Sequence, residues 1–175
     1  MTIKRFIGLS LYYGFARYLP STLFPIFGSF AGKLRAFCCR LIFKRCGTNV
    51  TIERMAKFVD GREIELGNNS GIGTNANIPF NTIIGDNVMM GPDVVIFYHN
   101  HEYADTSIPM CKQGYKKGKQ TIIANDVWIG QGVYITPGRN VAEGCVIGAA
   151  SVLTKDFPDF SVVGGNPAKF IKSRK

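Results

Sequence analysis

A period of six constrains this 175-residue chain more than any other feature. Leu66, Ile72, Ile78, Ile84, Met90 and Ile96 stand six apart, and so do Ile123, Ile129, Ile135, Val141, Ile147 and Leu153. All twelve are aliphatic or Met, the self-similarity expected of a repeat architecture. Neither the 3.6-residue period of an amphipathic helix nor the alternation of a flat strand produces it. It fits a coil with three short flat sides, each giving one large apolar residue to an interior shared with the coils above and below. Four residues beyond the slots come Ser70, Ala76, Thr82, Val88, Val94, Val127, Val133, Cys145 and Ser151, all small or β-branched, which supply a second, smaller inward residue. Arg139 breaks that column. Gly67, Gly73, Gly85, Gly91, Gly130 and Gly148 follow slots directly, as suits a corner where the backbone bends without a Cβ. Coils stacked about 4.8 Å apart make a parallel β-helix, an all-β solenoid whose repeats cannot bury their slots alone.

The repeat divides the chain. From Cys46 it runs loosely through Ile52, Phe58 and Ile64, then slips by two to Leu66, which predicts an irregular first coil or a bulged corner. Ile96 and Ile123 stand 27 apart instead of six, so 21 extra residues are extruded as a loop over 97–122. A long loop inside a strict repeat is more often functional than accidental. The expected organisation is a helical segment over 1–45, the β-helix over 46–155 and a tail over 156–175, with a short helix in the last eight residues.

Residues 1–45 have their own character. Between Lys4 and Arg45 lie eight cations and no acid, interleaved with large apolar residues. The longest uncharged run, Tyr18 to Gly32, has fifteen residues and two prolines, too short and too broken to span a bilayer. No cleavage site marks a signal peptide. Two readings remain: basic amphipathic helices at a membrane interface, peripheral to its inner face, or helices packed on the β-helix end or a neighbouring subunit.

A net charge of +9 implies an anionic partner. Nucleic acid is not expected, because zinc-finger spacing, a basic helix with heptads and an aromatic RNA-binding signature are all missing from the sequence. A CoA thioester, a nucleotide- or lipid-linked sugar, or an anionic membrane accounts for the charge as well. Five cysteines with no C-x-x-C pair argue against a disulfide framework and for a reducing, cytoplasmic compartment.

Chemistry points to the loop. His99 and His101 are the only histidines, and imidazole abstracts protons near neutral pH. Glu102 or Asp93 is placed to hold one ring in the correct tautomer. A zinc hydrolytic site needs three histidines, so no metal is expected. Cys111 lacks partners for a nucleophile. Trp128, the sole tryptophan, directly precedes inward Ile129 and is predicted to project outward, where a ligand or a subunit covers it.

Ile84-Gly85-Asp86-Asn87-Val88-Met89-Met90-Gly91-Pro92, His99-Asn100-His101, Asp126-Val127-Trp128-Ile129-Gly130, Ile147 to Asp156, and Gly165-Asn166-Pro167-Ala168 together resemble the hexapeptide-repeat O-acetyltransferases, close to the maltose, galactoside and capsular-polysaccharide branch. The resemblance runs from about Cys46 to the C-terminus. It implies a left-handed helix, an exception to the usual crossover rule, and a homotrimer with sites between subunits. It implies acetyl transfer from acetyl-CoA to a saccharide hydroxyl in surface-polysaccharide synthesis, with His99 as the best match to the base and His101 second. Trp128 and Gln131 match donor contacts near the reacting end, and Ala149, Thr154 and Lys155 match contacts along the pantetheine and phosphates. Asn81, Asp93 and Tyr103 are the acceptor-binding candidates, and amides near Gly130 the expected oxyanion donors. Serine or amino-sugar acetylation, and a non-catalytic membrane-docked scaffold, are the competing readings. The basic N-terminal segment departs from the branch with soluble sugar acceptors.

Overall fold

The computed structural model describes residues 2–175. Three faces of parallel two-residue strands stack slot over slot. The first face runs Arg45–Cys46, Glu65–Leu66, Ile83–Ile84, Ile122–Ile123, Asn140–Val141. On the second, Met89–Met90, Trp128–Ile129, Val146–Ile147 and Ser161–Gly164 stack, with Thr51–Ile52 pairing Gly71–Ile72 among the earlier coils. The third holds Val95–Ile96, Tyr134–Ile135 and Val152–Leu153. Both inward columns are buried as the period requires: Leu66, Ile84, Ile123, Ile129 and Ile135 are fully covered, and so are Ala76, Thr82, Val94, Val133 and Ser151.

The corners correct one expectation. Gly85 and Gly130 are not needed for a bend, because neither has a positive φ. A Cβ on Gly130 would lie 2.6 Å from the Ala149 nitrogen, and one on Gly85 2.8 Å from the Ala124 carbonyl carbon. Glycine there lets successive coils touch. The left-handed residue comes three after the slot, at Asn69, Asn75, Asn87, Asp93 and Asp126, where Asn and Asp tolerate that conformation best.

The two-residue slip is a longer coil. Cys46 pairs with Leu66 and Ile52 with Ile72, twenty residues on, whereas Leu66 pairs with Ile84 after eighteen. The surplus lies between Phe58 and Leu66, where Val59 and Gly61 have positive φ and Ile64 is fully buried.

Two helices, α1 (Ile3–Gly14) and α2 (Gly28–Ile42), close that first coil. Tyr12 and Phe43 reach the Phe58 ring at 4.6 and 4.9 Å, so helices and coils share one core. Packing on the β-helix end is therefore what the inner faces do. The helices and the connection between them leave large apolar residues exposed among the cations: Ile3, Phe6 and Phe30 on the helices, and Leu23, Ile26 and Phe27 between them.

Fully buried Arg35 ties α2 to the coil. Its Nε donates to the Ile52 carbonyl (2.6 Å) and Nη1 to the Pro20 carbonyl (3.0 Å), while Nη2 lies 3.8 Å from Glu53. Burial lowers the Arg35 pKa. Burial also pulls the Glu53 carboxyl upward, but hydrogen bonds from Thr22 and the Arg35 charge outweigh that and hold it below its ordinary value.

The C-terminal helix expected over the last eight residues does not form. Lys169–Ser173 is a strand, antiparallel to Ser161–Gly164, and caps the second face. Turn residues Gly165-Asn166-Pro167 reverse the chain between them and leave the last residues an open strand edge to pair with.

A carboxyl whose folded pKa is depressed stabilises the fold above its unfolded pKa, and that contribution is lost as pH falls through the folded value. Unfolding midpoints should therefore drop below about pH 4 more steeply for the native chain than for Glu53→Gln, as measured by thermal melts across the acid range.

Candidate active site

The extruded loop leaves the third face after Ile96 and returns to the first at Ile122–Ile123. Its limbs pair with each other: Lys119 N–H donates to the Tyr98 carbonyl (2.9 Å), Lys116 N–H to Asn100 (2.8 Å) and Glu102 N–H to Gly114 (3.0 Å). The loop is thus an ordered arm. Tyr115, on the returning limb, sets its ring edge-on to His99 at 4.6 Å and tilted over His101 at 4.3 Å. Both histidines are exposed.

His99 lines a cavity of about 310 Å³ together with Lys116, Lys117, Lys119, Arg139 and Thr154. Four cations beside one imidazole make a strongly electropositive recess, suited to an anionic ligand. A second recess of about 260 Å³ continues from His99 along Tyr98, Ile96, Asn77 and Val59 and is mostly apolar. His99 is where the two meet.

The remaining expected residues divide between the edges of the third face. Thr154 and Lys155 follow Leu153 on the His99 edge, two coils above Ile96. Trp128, Gln131 and Ala149 lie on or beside the second face, at the opposite edge. Trp128 projects outward as expected and is 52% exposed. Gln131 Nε2 donates to Asp93 Oδ2 (3.3 Å), and Asp93 also accepts from Asn75 (3.0 Å). Asp93 therefore serves the corner ladder. The other proposed orienter, Glu102, lies 4.0 Å from Lys116. Among the described residues, no hydrogen bond joins either carboxylate to His99 or His101, and the tyrosines hold the rings instead.

Three further placements matter. The Gly130 amide already donates to the Ile147 carbonyl (2.8 Å), so it is not a free oxyanion donor. The amides of Gln131 and Ala149, one residue on, have no backbone acceptor among the described residues. Tyr103 packs under the Lys116 ammonium at 4.4 Å and does not itself line the recess. Asn81 receives Gln120 Nε2 on its carbonyl (2.8 Å), while its own Oδ1 is buried without a partner.

Sequence reasoning missed Lys116, Lys117, Lys119 and Arg139. The lysines look like an ordinary solvated run. Arg139 did leave a signal, as the one residue that breaks the small inward column. Its Nη1 bonds the Thr154 carbonyl (3.1 Å) and approaches Asp156 at 3.4 Å, so it turns out toward the recess.

No family model matches the chain. A maltose O-acetyltransferase from Clostridium difficile is 30% identical, with a TM-score of 0.78 over 98% of this chain and 87% of that one. A galactoside acetyltransferase in complex with coenzyme A is also 30% identical, with a TM-score of 0.75 over 98% of this chain and 81% of that one. The chain belongs to the hexapeptide-repeat acetyltransferase family. Its solenoid is the left-handed β-helix of these enzymes. A chloramphenicol acetyltransferase from Klebsiella aerogenes is 44% identical over 78 residues, 45% of this chain, and the match spans only about a third (36%) of that relative's length.

Gly118 is where the arm is most tightly set, since any Cβ there would collide with the Tyr98 ring. Gly118→Ala should speed tryptic cleavage after Lys116, Lys117 and Lys119 severalfold while leaving the thermal midpoint nearly unmoved, because loops open locally without global unfolding.

Proposed function

We propose that the protein transfers acetyl from acetyl-CoA to a saccharide hydroxyl, as a homotrimer, in the synthesis of a surface polysaccharide. The observation that carries this reading is the likeness along nearly the whole chain to two sugar acetyltransferases, one of them holding coenzyme A. A loop histidine, His99 at the junction of the two recesses or His101 beside it, takes the hydroxyl proton as the oxygen attacks the thioester carbonyl. The C–S bond then breaks and the thiolate leaves with a proton, giving an acetyl ester and free CoA. No covalent enzyme intermediate is needed. Amides at Gln131 and Ala149, not Gly130, are the donors available for the oxyanion or the pantetheine.

Donor placement follows from the split of the site. The thioester sits at the level of His99, and the phosphates lie toward Thr154 and Lys155, about 10 Å higher at two coil spacings. Trp128, Gln131 and Ala149 reach the same donor from the adjoining subunit. Holding both substrates in line supplies much of the rate.

The segment 1–45 suits the inner surface of an anionic membrane. Leu23, Ile26, Phe27 and Phe30 are exposed beside Lys33 and Arg40, no acid lies between Lys4 and Arg45, and lipid phosphates complement that charge where a second copy would repel it. No described helix is long and apolar enough to cross a membrane, so contact would be interfacial. The local identity to chloramphenicol acetyltransferase favours a second reading, acetylation of a chloramphenicol-like acceptor.

Free CoA release, measured against a panel of saccharides, sugar nucleotides and chloramphenicol, decides between the acceptors. His99→Ala and His101→Ala, made separately, should identify the base by a loss of about 10²–10⁴ in kcat, with acetyl-CoA still quenching Trp128 fluorescence. Two fully active variants would remove the imidazole from the chemistry. For the membrane, Leu23→Glu with Phe27→Glu should abolish co-sedimentation with phosphatidylglycerol vesicles, and phosphatidylcholine vesicles should bind weakly from the outset.

A further inference from the structure

Arg17 is a nearly buried cation with no anion to meet it. It lies in the short turn Ala16–Tyr18 after α1, only 8% exposed. Its guanidinium packs on the rings of Tyr13 and Tyr18 at 5.4 and 5.1 Å. Its Nε is buried without a hydrogen-bond partner, and no carboxylate pairs with it among the described residues. Arg35 shows the contrast: buried still more deeply, it donates to backbone carbonyls and lies beside Glu53. A charge withdrawn from water and left unpaired is costly, and aromatic faces offset only part of that cost.

Arg17 opens into a pocket of about 540 Å³ shared with Tyr13, Lys57, Val59, Asp60 and Asn77. Asp60 does not neutralise it, because its carboxylate is held by Arg5 at 3.1 Å, with Arg62 at 3.9 Å. Val59 and Asn77 also line the apolar recess that ends at His99. The two spaces therefore adjoin along Val59 and Asn77 and offer one groove to a ligand that crosses them, with Arg17 and Lys57 at one end and an imidazole at the other.

We propose that this groove takes an acidic acceptor: a carboxylate or phosphate of the saccharide meets Arg17 and Lys57 while its hydroxyl lies at His99. This deepens the acetyl-transfer reading and rests on it. Guanidinium presents paired donors to either oxyanion group, so the fit is to the shared chemistry. The tyrosines fix the plane of the fork in advance. An acceptor without the charge would leave those donors unmet and be discriminated against.

The test uses the full chain with cellobiouronate, lactose 1-phosphate and neutral methyl lactoside, disaccharides long enough to bridge the two coil spacings, about 10 Å, between Lys57 and the level of Val95. At least one charged probe should be acetylated with kcat/KM about tenfold or more above the neutral one, as a charge-assisted hydrogen bond implies. Arg17→Gln should bring that ratio close to one through KM, with Arg17→Lys restoring part of it. Lys57→Gln, at an exposed position, reports on the same end of the groove should Arg17→Gln fail to fold. Calorimetric binding of the charged probes in the absence of acetyl-CoA separates the two claims. Arg17-dependent binding without turnover would keep the anion site and sink acetyl transfer. Turnover blind to charge would sink the anion site and keep acetyl transfer. Loss of assembly in Arg17→Gln by sedimentation, with no anion bound by the native chain, would assign Arg17 to a subunit contact and overturn the proposal.

Discussion

The spacing between successive coils is the quantity on which the rest of this molecule depends. At strand distance, about 4.8 Å, one coil's backbone meets the next with nothing between them at the corners. That is why a Cβ on Gly130 would strike Ala149. It is also why polar side chains on the left-handed corner form a ladder, with Asn49 bonded to Asn69 at 3.0 Å and Asn69 to Asn87 at 3.2 Å. Slots, small inward residues, corner glycines and left-handed Asn or Asp are four readings of one requirement. A residue that fails any of them separates two coils and strips hydrogen bonds from both.

A scaffold this regular can carry an irregular arm. Ile96 stays paired with Ile135, and Ile84 with Ile123, as though the 21 extruded residues were not there. The arm leaves from a corner, where no strand is interrupted, and its own limb-to-limb bonds replace the coil bonds it forgoes. Side chains on it, the candidate histidines included, are held by a rigid base and by local aromatic packing, which fixes their positions. Tyr98 shows the coupling directly, with its ring 5.2 Å from Phe80 on the coil side and pressed against Gly118 on the returning limb.

The legible part of this structure was the part written in period. Twelve slots, their small companions, the length of the extruded loop and the outward Trp128 all follow from spacing, because a coil repeats its environment every six residues. The reason for the glycines was misread, since sequence cannot distinguish a residue chosen for its φ from one chosen for the neighbour it lets approach. The C-terminal helix was expected from composition alone, and the open edge left by Ser161–Gly164 won instead. The site was less legible than the fold. Pairing of Lys116 with Tyr103 and of the histidines with Tyr115 depends on how a loop folds back, and nothing periodic encodes that. Arg17 was invisible for a different reason: among eight cations in one segment, only burial separates it from the other unpaired ones.

The residues proposed to hold the donor lie at both edges of one protomer's third face. Thr154 and the His99 recess occupy one edge, and Trp128 with Gln131 the other, with the strands from Val95–Ile96 to Val152–Leu153 between them. A solenoid cross-linked by backbone bonds at every coil cannot bend to bring its own edges together. In the proposed assembly one ligand touches both sets, the second coming from another copy. The proposed trimer would close after three copies about a threefold axis and give each groove one edge from each of two neighbours. The exposed outer residues Met89 and Trp128 on the second face and Tyr134 on the third are then the surface such an arrangement covers. The same geometry leaves the helical segment at one end of the prism, where three basic apolar patches would face one way and reach a flat anionic surface together. Simultaneous contact raises the effective concentration of each patch for the surface, so segments too weak to hold alone would hold as three.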